Sequence, residues 1–263
     1  MNFLEQILMR RRSHVQAQRA ACDANALHQQ AVEVCQEKSP HRLRSALSEN
    51  DGVNIIAEFK RASPSLGMIN RHANVDEIVA LYEIGNAAAI SILTEHESFH
   101  GSIDDLSAAR VATGLPILRK DFTVDEFQID EAAANGADAI LLIVAALTDE
   151  DLSRLRTHAE ERLGLDALVE VHDAQEFGRA IACGASLIGV NNRDLGTFTT
   201  SLATSVDLAS RATPDLTLVS ESGISSPDDI SLLRKCGYCG FLIGESLMRA
   251  PDPVALLQSL RHV

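Results

Sequence analysis

From residue 54 onward the chain alternates short apolar runs with longer stretches whose apolar residues recur every three or four positions. The runs cover residues 54–58, 88–93, 115–119, 139–143, 167–171, 187–190, 216–220 and 240–243, eight in all. Most are apolar throughout rather than alternating, the pattern of parallel strands covered on both faces. The stretches between them have helical spacing, as in Val124, Phe127, Ile129 and Ala132-Ala133, or Leu152, Leu155, Ala159 and Leu163. Gly85, Gly136, Gly184 and Gly237 each precede an even-numbered run, at intervals of 51, 48 and 53 residues, about two βα units each. A glycine there supplies the left-handed residue that ends a helix and turns the chain into the sheet. Eight evenly spaced βα units predict an α/β fold, a closed (β/α)8 barrel. The alternative, a doubly wound open sheet, calls for a Gly-rich phosphate turn after its first strand, where this chain has Glu58-Phe59-Lys60-Arg61.

The first fifty residues carry helical patterns (Phe3-Leu4, Ile7-Leu8, then Leu43, Ala46-Leu47) and no strand. They are expected to form helices outside the barrel, covering one of its mouths, with Arg10, Arg11, Arg12 and Arg19 on a solvated face. No linker or low-complexity stretch interrupts the chain. Residues 1–263 are therefore read as one barrel domain with 1–50 as a helical extension, close to the roughly 250 residues such a barrel takes.

Composition narrows the partners. A net charge of −14 repels nucleic acid and anionic membranes, while leaving room for a small anionic substrate where positive groups converge. No apolar run approaches the roughly 20 residues that span a bilayer. Residues 1–6 include polar residues where a signal peptide would place its apolar stretch, so a cytoplasmic protein is expected. Five cysteines with no framework spacing suit reduced thiols. Cys236-Gly-Tyr-Cys239 closes a helix and precedes a strand, the reverse of a redox motif, and no second pair completes a zinc site. The sequence does not fix oligomeric state; a monomer is the simplest expectation.

Only four lysines stand against nineteen arginines, and Lys60 and Lys120 directly follow apolar strand-like runs. Arginine stays charged in nearly any environment, whereas a partly buried lysine can give up its proton. In a barrel, active-site groups sit at the C-terminal ends of the strands. Those positions hold Glu58 and Lys60, Glu95, Lys120, Glu170, Asn191 with Arg193, Glu221 with Ser222, and Gly244-Glu245; the fourth strand ends in the apolar Ile143-Val144. Charges embedded in apolar runs are costly unless paired or functional, so Glu58, Lys120, Glu170 and Glu221 form either a catalytic cluster or a structural ion-pair ring. Ser220-Glu-Ser-Gly223 and Ile243-Gly244-Glu-Ser246 follow strands seven and eight, each entering a helix. Backbone N–H groups at such turns make an anion cradle at the usual phosphate position of this fold.

Six motifs, in order across residues 54–250, resemble the indole-3-glycerol phosphate synthase family. They are Glu58-Phe-Lys60-Arg-Ala-Ser63-Pro-Ser65, Leu118-Arg-Lys120-Asp-Phe122, Leu168-Val-Glu170-Val, Gly189-Val-Asn191-Asn-Arg193-Asp-Leu, Ser220-Glu221-Ser222-Gly223-Ile, and Gly244-Glu-Ser-Leu-Met248. The resemblance implies ring closure of 1-(2-carboxyphenylamino)-1-deoxyribulose 5-phosphate with loss of carbon dioxide and water, a carboxy-lyase step of tryptophan biosynthesis. It implies Lys120 as the acid at the ketone oxygen, its pKa tuned toward neutrality. Glu58, Lys60 and Glu170 are implied candidates for dehydration. Asn191, Glu221 and Ser222 would contact substrate, and Gly223, Gly244 and the Glu245 N–H would hold phosphate, with Ser63, Lys60 and Arg193 nearby. Phe99, Phe122 and Leu141 would form the apolar slot for the aryl ring.

No cofactor or metal is implied; His96 and His100 lack a supporting carboxylate pattern. The sequence departs from the family at Leu66, where many members carry lysine, and its aromatic-poor N-terminus leaves closure of the mouth open. Two other readings compete. Phosphoribosylanthranilate isomerase chemistry wants a Cys-like base after strand one and an Asp after strand six, where Glu58 and Asn191 stand. A barrel that only binds a phosphosugar would tolerate arginine at both lysine positions.

Overall fold

A computed structural model describes residues 3–48, 52–194 and 196–262. The remaining positions, including Met1, Asn2 and the Leu195 that ends the fourth motif, lie outside the described residues.

Eight parallel strands close into a barrel. They are β1 (Asn54–Phe59), β2 (Ala89–Leu93), β3 (Ile117–Lys120), β4 (Ala139–Ile143), β5 (Asp166–Val171), β6 (Leu187–Asn191), β7 (Thr217–Glu221) and β8 (Gly240–Ile243). Each pairs with its sequence neighbours, and β1 closes the ring by pairing Asn54 with Gly240 of β8 while Ile56 faces Ala89 of β2. The open-sheet alternative is thereby excluded. Almost every strand residue is buried, which explains the unbroken apolar runs: one face packs into the barrel interior and the other against helices.

Three of the four spaced glycines behave as expected, with Gly136, Gly184 and Gly237 left-handed at φ of 90°, 83° and 98°. Gly85 does not. Its φ is −72° and the left-handed residue is Asn86, at 59°. Gly85 is needed for space instead, since a Cβ there would lie 2.6 Å from Leu257 Cδ1.

The extension folds as α1 (Phe3–Ala21), α2 (Ala24–Gln36) and α3 (Arg42–Ser48). Ile7, Leu8, Arg11 and Val15 form the buried stripe of α1 at helical spacing. Asp23 caps α2 by accepting from the Asn25 and Ala26 N–H groups, a contact worth roughly 0.5–2 kcal/mol. The extension reaches both ends of the barrel rather than one. Phe3 and Leu4 line the cavity at the C-terminal mouth, while Leu47 packs on Gly240 at the floor and its carbonyl accepts from the Asn54 side chain.

The arginines of α1 divide. Arg10 and Arg19 are exposed, pairing with Glu97 at 2.5 Å and Asp125 at 2.9 Å, and Arg12 is exposed. Arg11 is buried and its guanidinium pairs with Asp121 at 2.6 Å, so the expectation of a wholly solvated face fails at that position. Asp121 also accepts from Thr94 Oγ1 at 2.5 Å and from Arg119 at 3.3 Å, and Arg119 pairs with Glu131 at 2.7 Å. Strand alternation turns the buried Arg119 outward into this network and leaves Lys120 for the mouth. The charged groups flanking Lys120 are thus tied both to the helix layer and to α1.

Candidate active site

The C-terminal ends of the strands open into a cavity of about 560 Å³. At its base lie two ammonium groups and three carboxyls. Lys120 Nζ is 2.7 Å from Glu170 Oε2 and 3.0 Å from Glu221 Oε2, and Lys60 Nζ is 2.6 Å from Glu58 Oε1. Glu58, Glu170 and Glu221 are only 5%, 2% and 1% exposed, so water offers their charges little relief. Two glycines make room for them. A Cβ on Gly189 would collide with Glu221 Oε1, and one on Gly244 with Glu58 Oε1. Both positions must lack a side chain if the carboxyls are to turn inward.

The electrostatics follow from this crowding. Burial alone would discharge Lys120, but the charges of Glu170, Glu221 and Glu58 outweigh it and hold the ammonium well above the ordinary lysine range. The expectation of a lysine tuned toward neutrality is therefore not met. Burial would likewise raise Glu170, yet Lys120, His172 and a hydrogen bond from Asn191 bring it down to about 2. Glu221 is pushed up to about 7 by burial, reinforced by Glu170 and Glu58 against the pull of Lys120. Its Oε1 has no hydrogen-bond partner.

One contributor escaped sequence reasoning. His172 follows β5, with Nε2 3.5 Å from Glu170 Oε1 and Nδ1 3.1 Å from Glu176. Burial would favour neutral imidazole, but the Glu176 hydrogen bond and the Glu170 and Glu176 charges raise its pKa. Glu95, by contrast, is drawn away from the cavity chemistry. Its carboxylate caps the short helix His96–Phe99, accepting from three backbone N–H groups.

The remaining expected residues converge on the same cavity. Ser63, Asn191, Arg193, Ser222, Gly223, Gly244 and Glu245 line it, as do Phe99, Phe122 and Leu141. Ser63 belongs to a hairpin, Ala62–Ser63 paired with Gly67–Met68, that the sequence patterning missed. Leu66, at its tip, is exposed. Arg193 reaches across to Ser65 Oγ at 3.3 Å and the Phe198 carbonyl at 3.1 Å. Phe3 and Phe198 meet edge to face, with centroids 5.2 Å apart, and both line the cavity. This pair answers how an aromatic-poor N-terminus contributes to the mouth.

Contrary to the sequence expectation, the turn after β7 does not enter a helix directly. Ser222 and Gly223 are both left-handed, at φ of 66° and 78°, and both line the cavity. The helix Pro227–Lys235 begins only after Ser226, and Asp229 already accepts from the Ser225 and Ser226 N–H groups. The helix terminus is thus self-capped. After β8, Gly244 leads directly into Glu245–Arg249 with no side-chain cap. Asn192 braces the β7 turn from behind, donating to Ser220 Oγ and to the Glu221 and Ser222 carbonyls.

A closed parallel barrel with buried acids and lysines on one rim beside two glycine turns has its polar cluster where (β/α)8-barrel enzymes place their active sites. Comparisons with known proteins sharpen this. The sequence model for indole-3-glycerol phosphate synthase matches residues 4–260. Indole-3-glycerol phosphate synthase of Syntrophobacter fumaroxidans is 44% identical over 259 residues, covering 98% of this chain and 97% of that protein. The synthase of Koribacter versatilis is 46% identical, covering 98% of each. Among solved structures, 3-hexulose-6-phosphate synthase superposes with a TM-score of 0.62 at 15% identity, over 80% of this chain and 98% of that one, a likeness of fold alone. The chain belongs to the indole-3-glycerol phosphate synthase family.

Proposed function

We propose that this chain closes the indole ring of 1-(2-carboxyphenylamino)-1-deoxyribulose 5-phosphate, with Lys120 as the acid of the ring-closing step. The placement of Lys120 between Glu170 and Glu221 carries the reading. On one side of the cavity Phe99, Phe122 and Leu141 offer an apolar slot for the aryl ring; on another the Ser222–Gly223 turn and the Gly244-Glu245 N–H groups offer a cradle for the phosphate. Ser63 and Arg193 lie close enough to add donors. Asn191, Glu221 and Ser222 are placed for the sugar chain between.

The carboxylate-bearing aryl carbon attacks the ketone carbon, and the carbonyl electron pair moves to oxygen. Lys120 donates a proton there. A raised pKa keeps that proton in place at neutral pH, and an alkoxide is basic enough to take it. The aryl carboxylate then leaves as carbon dioxide, its bonding pair restoring aromaticity. Loss of the new hydroxyl as water needs a second proton donor and a base for the remaining ring proton. Lys60, paired with Glu58, is the donor, and Glu58 or Glu170 the acceptor. The protein's own groups supply every proton transfer in this scheme.

The isomerase reading is disfavoured by Glu58 and Asn191 at the positions where its base and acid would stand. A non-catalytic barrel would not require two lysines paired with buried carboxylates. We also place the protein in the cytoplasm and treat it as one domain, working as a monomer on a phosphorylated small molecule. Among the described residues no helix is long and apolar enough to cross a membrane.

Incubation with the carboxyphenylamino-deoxyribulose phosphate should produce indole fluorescence. Tight binding of that compound without product would establish the binding-only reading. Lys120→Arg should keep affinity and lower kcat by roughly 10²-fold or more; a near-normal rate would remove Lys120 from the acid role.

A further inference from the structure

A second cluster of ligating side chains lies away from the cavity, on the outer wall of the barrel. We propose that His28, Asp130 and His158 form a site for Zn2+ that fastens the N-terminal extension to the barrel.

The three residues come from three elements: His28 from α2, Asp130 from the helix Glu126–Ala134, and His158 from the first position of the π-turn His158–Arg162. His28 Nδ1 is 3.0 Å and His158 Nε2 2.8 Å from the same oxygen, Asp130 Oδ1. The ligating atoms all lie within 4.8 Å of one another. Zinc binds nitrogen and carboxylate oxygen at about 2.0–2.2 Å in tetrahedral geometry, so its ligands stand roughly 3.3 Å apart. Lengthening the two hydrogen bonds by a few tenths of an ångström and drawing the two imidazole nitrogens, within 4.8 Å of each other, together by up to about 1.5 Å turns the trio into such a set. Two imidazoles and one carboxylate suit zinc and its neighbours rather than calcium or magnesium.

The buried imidazole supplies an independent pointer. His158 is only 4% exposed and its Nδ1 has no hydrogen-bond partner. While Nε2 carries the proton that Asp130 accepts, a neutral ring leaves Nδ1 as a buried acceptor with no donor, at a cost of about 1–3 kcal/mol. Coordination through Nε2 moves the ring proton to Nδ1 and makes that atom a donor. Glu126 Oε2 stands 3.9 Å from it, placed to accept after a small side-chain rotation. Carboxylate–histidine–zinc arrays orient their ligands in this way. Helical π-turns often mark functional positions, and this one aims His158 at Asp130. His28 is half-exposed, which gives the ion a path in and leaves the fourth position to water. None of the three residues lines the cavity, so the inference stands apart from the ring-closure reading.

The test uses the full chain, stripped with a chelator, and Zn2+ alone as probe. Calorimetric titration should show one ion bound per chain. With free Zn2+ about a hundredfold above its Kd, Tm should rise by roughly 5 °C or more. Co2+ in place of Zn2+ should give the strong visible bands of a tetrahedral site. His28→Gln, at a half-exposed position that does not threaten folding, and Asp130→Asn should each abolish the stoichiometric binding and the Tm shift. Failure of the wild-type chain to bind, or binding that survives in His28→Gln, would overturn the proposal and leave the trio as a hydrogen-bonded strap.

Discussion

Glu221→Gln should stabilise the protein at alkaline pH while impairing it as a catalyst. In the folded chain Glu221 is raised from an ordinary 4.5 to about 7, chiefly by burial. An acid that holds its proton more tightly when folded stabilises the fold less and less as pH climbs through that window. The penalty starts near the unfolded value of 4.5 and is complete above about 7. A shift of roughly 2.5 pH units at 1.36 kcal/mol per unit corresponds to about 3 kcal/mol. Glutamine, nearly isosteric and never ionised, escapes it. Thermal unfolding of wild type and variant should therefore nearly coincide at about pH 4.5, diverge progressively up to about pH 7, and keep a constant gap above it. By about pH 8.5 the variant should melt roughly 6–12 °C higher, taking about 2–4 °C per kcal/mol for a chain of this size. Glu170 does not confuse the comparison, because its lowered pKa affects stability only as pH falls from 4.5 toward about 2. Lys120, raised above its ordinary 10.5, stays charged throughout. A Tm difference that is flat with pH, or a wild type more stable at pH 8.5, would refute the claim that the crowded carboxyls strain this site.

Gly244→Ala should lower kcat at least tenfold and also lower Tm, because the new methyl meets not only the Glu58 carboxyl but, at 2.9 Å, its Cβ, which cannot swing aside; indole fluorescence and melting curves, measured together, decide it. Asn192→Ala should cost about 3 kcal/mol in denaturant unfolding and raise KM, since the buried amide braces the turn behind Ser222; a change below 1 kcal/mol would count against that bracing. Arg11→Met should destabilise by roughly 1–3 kcal/mol, less than a fully broken buried pair because Asp121 keeps Arg119 and Thr94, and should speed proteolytic cutting within α1.

The barrel was legible because parallel strands buried on both faces leave an unmistakable imprint of unbroken apolar runs. The rim residues were legible for the converse reason: Glu170 and Glu221 interrupt such runs, and only pairing or chemistry compensates their burial. What escaped depends on partners distant in sequence. Nothing local distinguishes Arg11 from Arg10, yet one finds Asp121, 110 residues on, and the other stays in solvent. Phe3 acquires its place from Phe198, and His28 from Asp130 and His158. The hairpin after β1 has strands of two residues each, too short to show a period. At Gly85 the glycine spacing pointed to the right residue for the wrong reason, since helix packing rather than backbone handedness requires it.

The way the first helices grip the barrel has a consequence for synthesis. They leave the ribosome before the barrel, but their anchors come later: Asp121 and Asp125 for α1, Asp166 and Ser186 for α3, and Gly240 for Leu47. Until residues beyond 125 have emerged, Ile7, Leu8 and Val15 have no lasting surface on which to settle, and Leu47 waits for Gly240. This helical segment, made before the barrel, thus finds its seat only after much of the barrel exists.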